Sequence, residues 1–447
     1  MQLDTIIKGK KILTPAGIRE GIILIKDGII SDILPYVDSS LEGFVHDAGD
    51  SLIMPGVIDP HVHINEPGRT EWEGFDSATK AAAAGGITTV IDMPLNSTPC
   101  TTTAKNLALK IKATENQLHV NCGFWGGVIP GNEKQLDELL RSGVFGLKAF
   151  LTPSGIDDFP KSGIKELLNA MEVLKKFNKP LLVHCEIEDA YSSSALKANP
   201  QNYNAYLQSR PDEWELKAIS MLIDLCREKK TRSHIVHLST AKALKIINDA
   251  RSEGLPLTVE TAPHYLYFSS EEIMDGRTNF KCAPPIRNAE NRDLLWQGLK
   301  KGQIDFIATD HSPAPPMLKE ISSGDFSKAW GGIAGLQFSL PVIWTAAKQQ
   351  GFNLHHLMRW VCLNPATFLN LQNKGVIQKG ADADLVVWNP EEKFTVKKEN
   401  IYHKHRITPY LDRELFGVVK QTYVNGQIVY DNGRFVELNQ GKVQLVR

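Results

Sequence analysis

A chain of 447 residues is too long for one small core and calls for two or three domains, or one large barrel with an appendage. At 42% hydrophobic and 23% charged, with a formal net charge of −1, it has the composition of a soluble globular enzyme and no electrostatic footprint for nucleic acid or an anionic membrane. No apolar run reaches the length of a membrane span, and the start, Met1-Gln2-Leu3-Asp4-Thr5, lacks the basic and then apolar layout of a secretory signal.

Residues 1–54 read as a short-stranded β unit, with strand-like Asp4-Thr5-Ile6-Ile7 and Gly21-Ile22-Ile23-Leu24-Ile25 and a turn at Lys26-Asp27-Gly28. The texture then changes. The stretch 57–64, apolar, rich in β-branched residues and preceded by the turn-prone Pro55-Gly56, reads as a buried strand. Further strands are predicted at 88–93, 119–128, 146–151, 180–185, 234–239, 257–264 and 305–310. Helical patterns at 102–114, 163–177, 213–229, 241–253 and 288–300 separate them. This alternation predicts an α/β fold, a (β/α)8 barrel over 55–375. A doubly wound open sheet is the alternative, but no GxGxxG follows any strand. Beyond 375 the strand texture returns, with Ala383-Asp384-Leu385-Val386-Val387-Trp388 and a hairpin turning at Asn425-Gly426. Residues 1–54 and 376–447 are therefore expected to pair into one small β-sandwich beside the barrel. The six cysteines are scattered without a CxxC, which fits reduced thiols in a cytoplasmic protein.

Active sites of such barrels lie at the carboxyl ends of the strands, so the polar residues that end them carry the information. Side chains alternate along a strand, so His61 and His63 share a face and offer half of a metal site; a core strand with two hydrogen-bonded histidines has the same pattern. Lys148 stands in an apolar run, where a snorkelling or ion-paired lysine also fits. His184 and His237 fit satisfied core histidines as well as ligands, and Asp310 fits a helix cap. What argues for chemistry is that all six fall on strand ends that would converge at one barrel mouth. Four imidazoles and a carboxylate can hold two divalent cations but leave them without a bridge. A lysine buried near cations loses its proton, and the free amine can take up carbon dioxide as a carbamate with two oxygens suited to span a metal pair. The pair would acidify a bridging water and polarise a carbonyl, and Asp310 would take the attacking proton and pass it to a leaving nitrogen.

His61-Val62-His63, Lys148, His184, His237 and Asp310 together resemble the binuclear cyclic-amide branch of the amidohydrolase superfamily, over nearly the whole chain and including the 380–385 lead-in to the late β unit. Within that branch the chain is most similar to the allantoinase family, on Asn65-Glu66-Pro67-Gly68-Arg69 with Trp72-Glu73-Gly74, Met93-Pro94-Leu95-Asn96, Lys148-Ala149-Phe150, and the 330–337 stretch WGGIAGLQ. The resemblance implies opening of the allantoin ring to allantoate in purine catabolism, N6-carboxylation of Lys148, and two divalent ions, zinc first with cobalt, manganese or nickel also accepted. It further implies a homotetramer. Dihydroorotase enzymes hold a substrate carboxylate with an arginine two residues past the second histidine and a histidine four past the metal-binding aspartate; here those positions are Asn65 and Ala314. Hydantoinases accept neutral rings, but the EPGR and WGGIAGLQ stretches argue against them. A metal-free relative would have lost ligands. Substrate contacts are expected from Asn65, from Asn96 (equally a turn asparagine), from the main chain at Ala283, and from Ser312 (equally a helix cap). The role of Arg69 does not follow from the sequence.

Overall fold

The computed structural model describes residues 4–36, 45–188, 194–436 and 440–446; Met1, Gln2 and Leu3, on which the reading of the amino terminus partly rests, lie outside the described residues. At the centre is a (β/α)8 barrel. Its strands, in order, are Val57–Val62, Ile87–Asp92, Asn121–Phe124 continued by Gly126–Gly127, Leu147–Phe150, Leu181–His184, Ser233–Ile235, Leu257–Thr261 and Phe306–Ile307. Neighbours pair in parallel, for example Leu147 with Leu181 and Leu181 with Ser233. The ring closes between last and first strand through a parallel bridge of Val62 to His311, reinforced by the His63 N–H donating to the His311 carbonyl at 2.8 Å.

Such strands are apolar along their whole length because both faces are covered. Ile58, Leu182, Val236 and Phe306 meet Trp125 and Phe368 in one apolar cluster, distinct from the larger one beneath the helices, as alternation of side chains around a barrel requires. The helix Ile164–Phe177 shows how the outer layer forms: Leu167, Ala170, Met171 and Leu174 recur at three- and four-residue spacing on its buried face, and Asn178 ends it with φ 51°.

The two chain ends build the β-sandwich. Among the described residues its sheet has nine strands, and the ends are joined where Leu52–Pro55 runs antiparallel to Leu385–Trp388. Ile7, Ile23, Ile25, Ile53, Leu385 and Val387 form a core of their own. The hairpin between Glu414–Val424 and Gln427–Asp431 turns at Asn425 (φ 50°) and Gly426 (φ 81°), two positive values that match the twist of the flanking strands. Asp384 bolts this unit to the barrel: it accepts from the Asn425 N–H at 2.7 Å and from Asn121 Nδ2 at 3.1 Å, and pairs with Lys374.

Several elements differ from the sequence reading for local reasons. The strand expected over 257–264 stops at Thr261, because Pro263 lacks an N–H for the ladder and instead starts the helix Pro263–Tyr267. The expected third strand is broken at Trp125, whose indole donates to the Pro60 carbonyl at 2.8 Å. No helix follows Asp310 or Ser312, so neither is a helix cap; the chain there is loop and turn to residue 335. All six cysteines are free and buried, and among the described residues no helix is long and apolar enough to cross a membrane.

Candidate metal centre

Five strand ends deliver six side chains to one place. His61 belongs to the first strand and His63 follows it; Lys148 lies within the fourth and His184 ends the fifth; His237 and Asp310 lie just past the sixth and eighth. All six are buried. Asp310 Oδ1 stands 3.2 Å from His61 Nε2 and 3.4 Å from His63 Nε2, and these three residues form a cluster whose ligand atoms all lie within 4.8 Å of one another. On the other side His184 Nδ1 faces His237 Nε2 at 3.0 Å. The His61 and His237 rings, 5.4 Å apart between centroids, join the two groups.

The backbone is bent to achieve this. His237 has φ 37° and Asp310 φ 47°, left-handed conformations that cost a non-glycine residue about 1–3 kcal/mol and persist only where surroundings enforce them.

One nitrogen of the His61 ring and one of the His184 ring are held by carboxylates. His61 donates Nδ1–H to Glu260, which also accepts from His234 Nε2 at 3.2 Å and from the His237 N–H at 3.3 Å. His184 donates Nε2–H to Glu186 at 2.7 Å, and Arg210 grips the same carboxylate with Nε at 3.0 Å and Nη2. His63 Nδ1 lies 3.4 Å from the Asn96 amide; an end-for-end rotation of that amide brings Oδ1, without a partner among the described residues, to accept Nδ1–H. These bonds leave His61 Nε2, His63 Nε2 and His184 Nδ1 pointing inward, the arrangement that fixes tautomer and ring direction in histidine metal sites.

Charge tells the same story. Burial lowers His63 to about 4, and it lowers His184 and His237 as well, so these imidazoles are neutral with lone pairs to give. At His61 burial is outweighed by Glu260 and Asp310, and its value rises to about 9: a carboxylate on either side asks for positive charge between them. Burial likewise works against the Asp310 carboxylate, yet His61 and its neighbours hold it well below the usual range. Lys148 is fully buried, its Nζ has no hydrogen-bond partner among the described residues, and burial lowers it to about 8 against the pull of Glu260 and Asp310. Its charge is felt at His63, His184, His234 and His237. An orphaned, deprotonatable amine among neutral imidazoles and carboxylates fits a dinuclear centre with a lysine-derived bridge.

A cavity of about 650 Å³ opens over these residues. Asn96, Ala283 and Ser312 line it; Asn65 does not, for it is buried with φ 67° and its Nδ2 turns to the Pro313 carbonyl at 3.3 Å. Arg69 donates to the Asn96 carbonyl at 3.0 Å and lies over the Trp72 ring, so it braces the loop that carries Asn96. Three supporting residues escaped the sequence reading: Glu260, Glu186 and Asp92, whose Oδ1 accepts from the Ile64 N–H at 2.8 Å beside His63. Glu260, like Lys148, is an ionisable residue inside a buried barrel strand.

Residues 52–429 match the family described as "Amidohydrolase family". The chain is similar to the allantoinase of Arabidopsis thaliana, 46% identical over 98% of this chain and 90% of that protein, and to the allantoinase of Streptomyces avermitilis, 44% identical over 97% of each. Among solved structures it resembles an L-hydantoinase (dihydropyrimidinase) from Arthrobacter aurescens with a TM-score of 0.94, at 31% identity over 100% of both chains.

Proposed function

The chain belongs to the amidohydrolase family, and from that premise we propose that it opens the five-membered ring of allantoin to give allantoate. The observation that carries the chemistry is the buried, unpartnered Lys148 amine beside a cavity lined by His61, His63, His184, His237 and Asp310. In this reading His61, His63, Lys148, His184, His237 and Asp310 hold two divalent ions, zinc first with cobalt, manganese or nickel as alternatives. Those ions supply, when bound, an attacking water acidified toward neutral pH and a polarised amide carbonyl.

The chain's own residues do the rest. The neutral Lys148 amine adds to carbon dioxide, forming an N–C bond and releasing a proton, and becomes the two-oxygen anion the site lacks. Glu260 and Glu186 hold the His61 and His184 rings in direction. Asp310, facing both His61 and His63, accepts the proton of the attacking water as its oxygen bonds to the ring carbonyl carbon. It then delivers that proton to the ring nitrogen as the C–N bond breaks. Asn96, Ala283 and Ser312 reach the substrate from the cavity wall. The neutral Asn65 and Ala314 supply no clamp for a carboxylate, which favours an uncharged ring over dihydroorotate.

The similarity to a hydantoinase structure keeps hydantoin-type rings as the second reading. We also infer a cytoplasmic homotetramer, the six buried free thiols being at home in a reducing compartment. Its barrel would span 55–375 and its sandwich 1–54 with 376–447. The test is direct: chelator-treated protein should lose allantoin hydrolysis and regain it with zinc or cobalt, and activity untouched by metal removal would overturn the reading.

A further inference from the structure

The loop after the eighth barrel strand forms one wall of the cavity, through Phe326, Ser327, Ala329, Trp330 and Gly331. Residues 313–332 contain no helix or strand, so the shape of this wall must come from bonds across it. Those bonds converge on Lys319. It is 3% exposed, and its Nζ donates to three main-chain carbonyls: Lys281 at 3.1 Å, Trp330 at 2.9 Å and Gly332 at 2.7 Å. An ammonium has three N–H groups, and all three are used. The same two segments meet again where the Gly332 N–H donates to the Lys281 carbonyl at 2.8 Å and the Lys281 ammonium donates to the Ala329 carbonyl.

We propose that Lys319 is a positioning residue for substrate binding: its tripod of hydrogen bonds ties the Trp330-Gly331-Gly332 stretch to the 281–283 stretch, so that the cavity wall is set before the substrate arrives. This rests on the functional reading above. A buried cation with no ion-pair partner among the described residues is a poor stabiliser, and an apolar side chain of similar length would keep the volume without the cost of burying charge. Burial, with repulsion from Lys281, lowers Lys319 to about 7. What the lysine gives that an apolar chain cannot is a fixed spacing between three carbonyls of two loops. Trp330 shows why the spacing matters. Trp330 lines the cavity, and its indole N–H is buried in the wall with no acceptor among the described residues. Its ring packs edge-on against Trp72 at 4.8 Å, so the shape of the cavity wall depends on where the loop is held.

The experiment compares full-length, metal-loaded wild type with Lys319→Met and with Lys319→Gln, which keeps two N–H donors. KM for allantoin should rise about tenfold in Lys319→Met and less in Lys319→Gln, with kcat changed by less than about threefold and metal content unchanged. Amide exchange over 326–333 should quicken about tenfold in Lys319→Met while the helix Ile164–Phe177 keeps its protection. An unchanged KM, a fall in kcat alone, unchanged exchange, or failure of both variants to fold would each overturn the proposal. The exchange measurement needs no substrate. If wild type leaves allantoin intact, the functional reading fails and exchange alone decides whether the clamp exists.

Discussion

Lys148 is the residue whose removal should be felt most. With its amine gone, two facing groups of ligands lose the anion that would join them, so Lys148→Ala should lose activity and metal together, by elemental analysis and assay on one sample. Retention of full activity would end the carbamate idea. Asp310→Asn should stay folded yet turn over at least about a thousandfold more slowly, because an amide cannot take the proton; near-normal turnover would remove its role as shuttle. Glu260→Gln keeps the shape but weakens the hold on His61, and metal affinity or activity should fall about 10–100-fold, the usual effect of losing the partner of a histidine ligand. Some of this site was legible in the chain because strand alternation puts His61 and His63 on one face whatever the surroundings. Asn65 was misread for a reason equally local: its left-handed backbone turns the side chain away from the cavity, and nothing in its identity reveals φ. Glu260 was passed over because its work is done on another residue's ring rather than in the cavity.

At the scale of elements, sandwich residues such as Val386, Trp388, Leu415 and Val424 join the barrel's main core, and a buried ion pair adds to that junction. Lys374 and Asp384 are each about 5% exposed at the side chain, and Lys374 also meets Asp382 at 2.9 Å. Burial lowers the Lys374 amine, but Asp384 and Asp382 outweigh it and the net value is raised above 10.5. A raised lysine value contributes stability that is fully present below the unfolded value and fades as pH climbs through the folded one. Lys374→Met should therefore lower stability by about 3 kcal/mol at neutral pH, the scale of breaking a buried pair. The gap to wild type in thermal melts should hold steady from about pH 6 to 9 and narrow only above about 10.5. A gap that closed near neutrality would contradict the pairing. The elements themselves were mostly readable, since apolar runs bounded by turn residues and amphipathic helices repeat in order. Their ends were not: Pro263 shortens the seventh strand and Trp125 breaks the third, and both depend on partners far away in the chain.

For the molecule as a whole, the barrel closes from His311 back to Val62, and the two ends of the chain join where Leu385 pairs with Pro55. That closure was foreshadowed by similar strand texture at both ends, whereas the loop wall held by Lys319 was not, because its order comes from main-chain acceptors that any sequence carries. The frame points six side chains at one spot and leaves a cavity above it, and what that cavity accepts is the direct question. Purified protein should be given allantoin, dihydroorotate and hydantoin side by side, with its metal content measured on the same sample. About two divalent ions per chain, with allantoin opened and dihydroorotate left intact, is the predicted result. Turnover of dihydroorotate or hydantoin in preference to allantoin, or allantoin hydrolysis by metal-free protein, would contradict it.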